Sequence, residues 1–136
     1  MAATADQNVH QSVGRRKEAV ARVRLFPGQS QIIVNGKPIS DYFGGVVAQK
    51  AYQRPFELTK TLGKYSGTVK IIGGGTKSQL DAVVHGIAKV LEQISTETHR
   101  KPLKTAGLLT RDARVRERRK FGRAGKARAL KQSPKR

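Results

Sequence analysis

The chain has 136 residues, with 28 Lys and Arg against 9 Asp and Glu, for a formal charge of +19. That length fits one domain of ordinary size, and so large a like-signed charge repels itself unless an anionic partner neutralises it. No apolar run approaches the ~18 residues of a membrane span, the opening MAATADQNVHQS lacks the apolar stretch of a secretory signal, and the absence of cysteine removes disulfides, thiol catalysis and Cys-based zinc sites. The leading class is an intracellular, polyanion-binding protein.

Residues 1–12 read as a flexible leader. Ala21, Val23 and Leu25 then alternate with Arg22 and Arg24, the period of a half-buried strand. Pro27-Gly28-Gln29-Ser30 supplies turn chemistry before Gln31-Ile32-Ile33-Val34, which predicts a hairpin of two strands. Asn35-Gly36 closes the second strand with a tight turn. Tyr42 and Phe43 fit core anchors better than stacking platforms. A short helix is predicted over 46–54, ending before Pro55 because the residue preceding proline avoids the helical region. Gly67 to Ile72 is a third strand, rich in β-branched residues.

The strongest helix follows the glycines Gly73-Gly74-Gly75. Leu80, Val83, Val84, Ile87, Val90, Leu91 and Ile94 recur on one helical face, and Ser78 with Asp81 resembles a capping box. Lys101-Pro102 marks the exit, and Leu108-Leu109 suggests one last short strand. The expected organisation is a leader at 1–12, an α+β domain at 13–110 and a basic tail at 111–136.

Charge divides unevenly along this plan. Residues 1–98 carry a net +6, whereas residues 99–136 hold 15 basic and 2 acidic residues, a net +13. After Leu109 the sizeable apolar side chains are Val115, Phe121 and Leu130, too few to offset the entropy of ordering the segment by itself. A nucleic-acid-binding extension is the better account than a merely solvated face. The run from Arg111 to Lys120 could be helical, basic almost all round. The 14 residues from Arg123 to Arg136, if extended, reach roughly 45–50 Å, so the tip can meet a second partner.

Catalytic constellations are not legible. Gly73-Gly74-Gly75-Thr76-Lys77-Ser78 ends like a phosphate-binding loop but has Thr76 where that motif needs glycine, and no convincing acidic partner follows about twenty residues on for a dinucleotide site. The glycines suit either an anion beside a helix N-terminus or a tight, closely packed strand-to-helix turn. His10, His85 and His99 lack the spacing of a local metal motif, and no local carboxylate pair suggests general acid–base work. No catalytic residue, metal or cofactor is expected. Only seven aromatic residues occur, few for a binder that stacks single-stranded bases, so contacts to phosphates and to nucleic-acid shape are favoured.

Gly14-Arg15-Arg16-Lys17-Glu18-Ala19-Val20-Ala21-Arg22-Val23 resembles the opening motif of the ninth small-subunit ribosomal protein family, of bacterial or organellar type. The resemblance continues through Ile33-Val34-Asn35-Gly36, Tyr42-Phe43, Gly73-Gly74-Gly75 with Gln79, and Gly86-Ile87-Ala88. It is densest at Leu103-Lys104-Thr105-Ala106-Gly107-Leu108-Leu109-Thr110-Arg111-Asp112, then Arg114, Glu117-Arg118 and Gly122. The chain departs from the family at its end, Gln132-Ser133-Pro134-Lys135-Arg136, where an aromatic residue is usual, and mildly at Ser78 and Val90.

The resemblance implies an α+β fold like the second domain of the fifth small-subunit protein, with helices on one face of a small sheet. It implies a structural constituent of the small ribosomal subunit, cytoplasmic or organellar, that binds rRNA in the head beside other head proteins, with no membrane partner. Arg15, Arg16, Lys17, Arg22 and Arg24 would hold rRNA from the domain. Arg111, Arg114, Arg116, Arg118, Arg119, Lys120, Arg123, Lys126, Arg128 and Lys131 would carry the tail through rRNA. Lys135 and Arg136 would approach the anticodon stem-loop of the P-site tRNA. The alternatives are a general nucleic-acid-coating protein with a histone-like tail and an RNA-processing enzyme on a related fold.

Overall fold

A computed structural model describes residues 9–123 of the chain. In chain order the elements are β1 (His10–Arg16), β2 (Ala19–Pro27), β3 (Ile33–Val34), β4 (Lys37–Pro38), α1 (Ile39–Tyr42), α2 (Val46–Leu58), β5 (Tyr65–Ile72), α3 (Thr76–Ile94) and α4 (Thr96–Thr105). The five strands form one sheet in the order β1-β2-β5-β3-β4. The α+β architecture is as expected: the helices pack on one face and the other is open.

Alternation along β2 explains the two faces. Ala19, Ala21, Val23 and Leu25 are wholly buried, while Arg22 and Arg24 between them are exposed. The inward set meets Val83, Ile87, Val90 and Leu91 of α3, four members of the apolar stripe legible in the sequence, together with Ala82. Phe43 and the α2 side chains Tyr52 and Phe56 extend the same core. Helix α3 approaches β1 closely because glycines meet there: a Cβ on Gly14 would fall on the carbonyl of Ala82 and the amide of Gly86, and a Cβ on Gly86 would lie 2.6 Å from Val23.

Several expectations are corrected. The strand starts at His10, inside the stretch taken as leader. The predicted hairpin of 19–25 with 31–34 does not form, because both edges of β2 are occupied, antiparallel by β1 and by β5. Instead Ile33 and Val34 run parallel to β5, opposite Thr68 and Val69, with α1 and α2 as the crossover that parallel strands require. The Asn35-Gly36 turn does form, both residues having positive φ. The Asn35 side chain extends the ladder past β3: its Nδ2 donates to the Ile71 carbonyl at 3.1 Å, and its Oδ1 accepts from the Ile71 amide at 2.9 Å.

Neither proline ends its helix where expected. Pro55 lies inside α2 and Pro102 inside α4. Pro55 is fully buried beside Phe56, and that packing outweighs the local cost of the missing N–H. Helix α3 starts at Thr76 with Gly75 as its N-cap and no side-chain cap, so Ser78 and Asp81 make no capping box. Gly73 and Gly74 have φ of +80° and +70°, and a Cβ on either would press on Glu18 or Ala19. Packing against the β1–β2 turn therefore accounts for these two glycines. Tyr42 anchors the same corner, donating to Gln79 Oε1 at 2.8 Å, while Gln79 Nε2 donates to the Gly73 carbonyl at 3.1 Å.

Candidate nucleic-acid interface

The open face of the sheet is read directly from strand register. Val13, Arg22 and Lys70 lie in one cross-strand row; Gln11, Arg24, Thr68 and Ile33 form the next; Arg15, Val20 and Ile72 form a third. Arg15, Arg22, Arg24 and Lys70 are all exposed. A groove of about 950 Å³ runs across Gln11, Val13, Arg22, Arg24, Asn35 and Lys70, with no carboxylate in its lining. Lys70 was missed as a site residue, although the alternation Thr68, Lys70, Ile72 opposite the buried Val69 and Ile71 was sufficient to place it outward.

The expected RNA ligands at the β1–β2 hairpin diverge. Lys17 occupies the exposed tip in the left-handed region, with φ +53°. Arg15 points outward with Arg22 and Arg24, but Arg16, one residue on, points inward toward α3 and is only 13% exposed. Its guanidinium lies 3.7 Å from Asp81 and 3.5 Å from Asp112, and Nη1 donates to the Arg114 carbonyl at 2.5 Å. Arg16 therefore holds the root of the tail against the domain.

The tail root begins at a helix end. The Gly107 amide donates to Lys104 and the Leu108 amide to Leu103, with Gly107 at φ +77°. This is the paired-bond C-terminal motif that reverses a chain through a left-handed glycine. Leu108 and Leu109 then pack on the core rather than forming the expected strand. Arg111 to Lys120 is irregular, not helical. Asp112 supplies the reason: its Oδ1 accepts from the Arg114 amide at 3.0 Å, and its carboxylate is gripped by the Arg114 side chain at 2.7 to 3.1 Å. Such a local side-chain turn competes with helix formation. Hydrogen bonds from Arg114 hold the Asp112 carboxyl far below the usual carboxylate range.

Beyond the pin, Arg116, Arg118, Arg119 and Arg123 are exposed, and Lys120 pairs with Glu117. Val115 is 64% exposed and Phe121 fully so. Lys126, Arg128, Lys131, Lys135 and Arg136 lie outside the described residues. The three histidines stay apart: His10 on β1, His85 on α3, and His99 on α4, whose ring nitrogen Nδ1 lies 2.8 Å from the Leu91 carbonyl. Burial is the main reason that the His85 imidazole titrates below its ordinary value, and Nε2 lies 3.3 Å from the Leu109 carbonyl. Among the described residues no group of His, Asp and Glu is arranged to hold a metal.

A cationic sheet face whose groove has no carboxylate in its lining, continued by an exposed, irregular basic tail root, has the surface character of the polyanion-binding class. Comparison with known proteins narrows that class. Residues 14–136 match the family described as ribosomal protein S9/S16. The small ribosomal subunit protein uS9 of Maridesulfovibrio salexigens is 53% identical over 125 residues, covering 92% of this chain and 95% of the relative. The uS9 of Gemmatimonas aurantiaca is 51% identical over 115 residues, covering 85% and 88% respectively. That of Desulfotalea psychrophila is 45% identical over 125 residues, covering 92% and 95%. The chain belongs to the ribosomal protein S9/S16 family. It is a structural constituent of the small ribosomal subunit, which is cytoplasmic in bacteria, and not an enzyme.

Proposed function

We propose that the protein binds small-subunit rRNA in the head through the open sheet face, and that its basic tail runs on through rRNA toward the anticodon stem-loop of the P-site tRNA. The observation that carries this is the alignment of Arg15, Arg22, Arg24 and Lys70 on one exposed face without a lining carboxylate. Cations so placed repel one another in the free protein and gain most when phosphates displace their counterions. Arg22 and Arg24 lie in adjacent rows of one strand, suited to successive phosphates. Arg111, Arg116, Arg118, Arg119 and Arg123 continue the charge along the tail, with Lys126, Arg128 and Lys131 next and Lys135 and Arg136 as the tRNA-facing tip.

Neighbouring head proteins suit a different part of the surface. The groove of Gln29, Ile32, Gln49, Tyr52, Phe56 and Leu62 has no charged side chain in its lining, which favours a protein contact over a phosphate one. Co-sedimentation of tagged protein through a sucrose gradient after a high-salt wash tests the assignment. We expect about one copy per small subunit to remain, because mere charge attraction is stripped by salt. Release into the light fractions would leave a general nucleic-acid coat as the better account.

A further inference from the structure

At the outer edge of β1, where the tail leaves the domain, a notch of about 460 Å³ is lined by Val13, Arg15, His85, Lys89, Leu109 and Arg111. Three elements supply one cation each: Arg15 from β1, Lys89 from α3, and Arg111 from the tail root. No carboxylate lines the notch. The half-buried Lys89 is held in place by donating from Nζ to the Val13 carbonyl at 3.0 Å, which leaves two of its three N–H donors for another acceptor.

Arg111 is positioned from both sides. Leu109 packs on the core and its carbonyl meets His85, while Asp112 is pinned by Arg16. Burial, and after it the charges of Lys89 and Arg111, lower the pKa of the His85 imidazole that lines the same notch. Three cations lining one concavity, one held by its own hydrogen bond and another carried on an anchored stretch of backbone, are favourable when an anion sits between them.

We propose that the notch of Arg15, Lys89 and Arg111 seats one backbone phosphate of RNA, separate from the phosphates met by Arg22 and Arg24. The proposal rests on the rRNA-binding function proposed above and adds a site to it. Arg15 belongs both to the open face and to the notch, so a strand lying across the sheet would turn over the β1 edge here. The bound phosphate would bridge the domain to the tail root, which ties tail direction to RNA binding.

The test uses the full-length protein and transcribed small-subunit rRNA, with affinity measured from low to physiological salt. Lys89→Met keeps the apolar stem and removes the charge. Its affinity is expected to fall about tenfold, with a loss of about one from the slope of log K against log salt. Lys89→Arg should restore both. Arg111→Gln, which leaves the Val13 contact in place, should show the same loss and covers the case in which Lys89→Met loosens β1.

Arg24→Ala is the reference arm. If it lowers the slope while Lys89→Met and Arg111→Gln do not, the notch is no phosphate seat and the rRNA-binding function stands. If Arg22→Ala and Arg24→Ala also leave the slope unchanged, the sheet face is not an RNA surface and the proposal falls with it.

Discussion

From His10 to Leu109 the chain is positioned by apolar burial, whereas from Thr110 to Arg123 it is positioned by a few polar pins. In the domain, four consecutive inward side chains of β2 are wholly buried against α3. In the tail root, Val115 and Phe121 face outward, and the tie to the domain runs through the guanidinium of Arg16. A segment with so few apolar side chains cannot fold by itself. It can still be aimed, because one partly buried arginine binding a carboxylate and a carbonyl fixes where the segment starts and which way it leaves. The two regions should therefore respond to different substitutions.

The largest effect belongs to the glycine contact between β1 and α3. Gly14→Ala would drive a methyl group onto the backbone of Ala82 and Gly86, and neither can yield without parting the helix from the sheet. A loss of about 3 kcal/mol is expected, at the upper end of overpacking costs, and is read from the urea midpoint of the free protein. A midpoint equal to that of the natural chain would mean that burial does not hold the domain as tightly as this contact implies.

A smaller effect is expected at the joint. Arg16→Met keeps the stem and removes the grip on Asp81, Asp112 and the Arg114 carbonyl. Amide exchange across 111–116 should quicken roughly tenfold while β2 and α3 stay protected. The joint should not open at neutral pH. Asp112 has a depressed folded pKa, so its contribution is fully present above the unfolded value of about 3.9 and is lost only as pH falls through the lower folded value. Exchange at 111–116 that rose between pH 8 and pH 5 beyond the intrinsic amide rate would contradict the pin.

The same division explains what was legible beforehand. The β2 alternation and the α3 stripe stand out because each faces a single apolar layer, so composition and position agree. Strand pairing is not local in that sense. Nothing near Ile33-Val34 announces that β5, more than thirty residues later, is its partner, and β1 hid behind the polar His10, Gln11 and Ser12. Pro55 and Pro102 read as helix ends because the burial that carries the helices past them is tertiary. Arg15 and Arg16 look equivalent in a basic run, but strand parity sends one to the open face and the other to Asp112. Knowing that β1 continues through Arg16 would have separated them.

The smallest effect is expected at Lys135 and Arg136, which lie outside the described residues. Deleting the pair removes two charges and no part of the α3–sheet core. Assembly of the small subunit should therefore proceed as before, since the open face and the tail root retain their cations. Binding of P-site tRNA should weaken by tenfold or less, with up to about two units lost from its salt slope, the amount two phosphate contacts supply. Faster tRNA dissociation from intact subunits would separate the tip from the rest of the tail, giving it a partner the domain does not share. An unchanged dissociation rate would remove the tRNA role of the tip, and the contrast between domain and tail would then be one of folding alone.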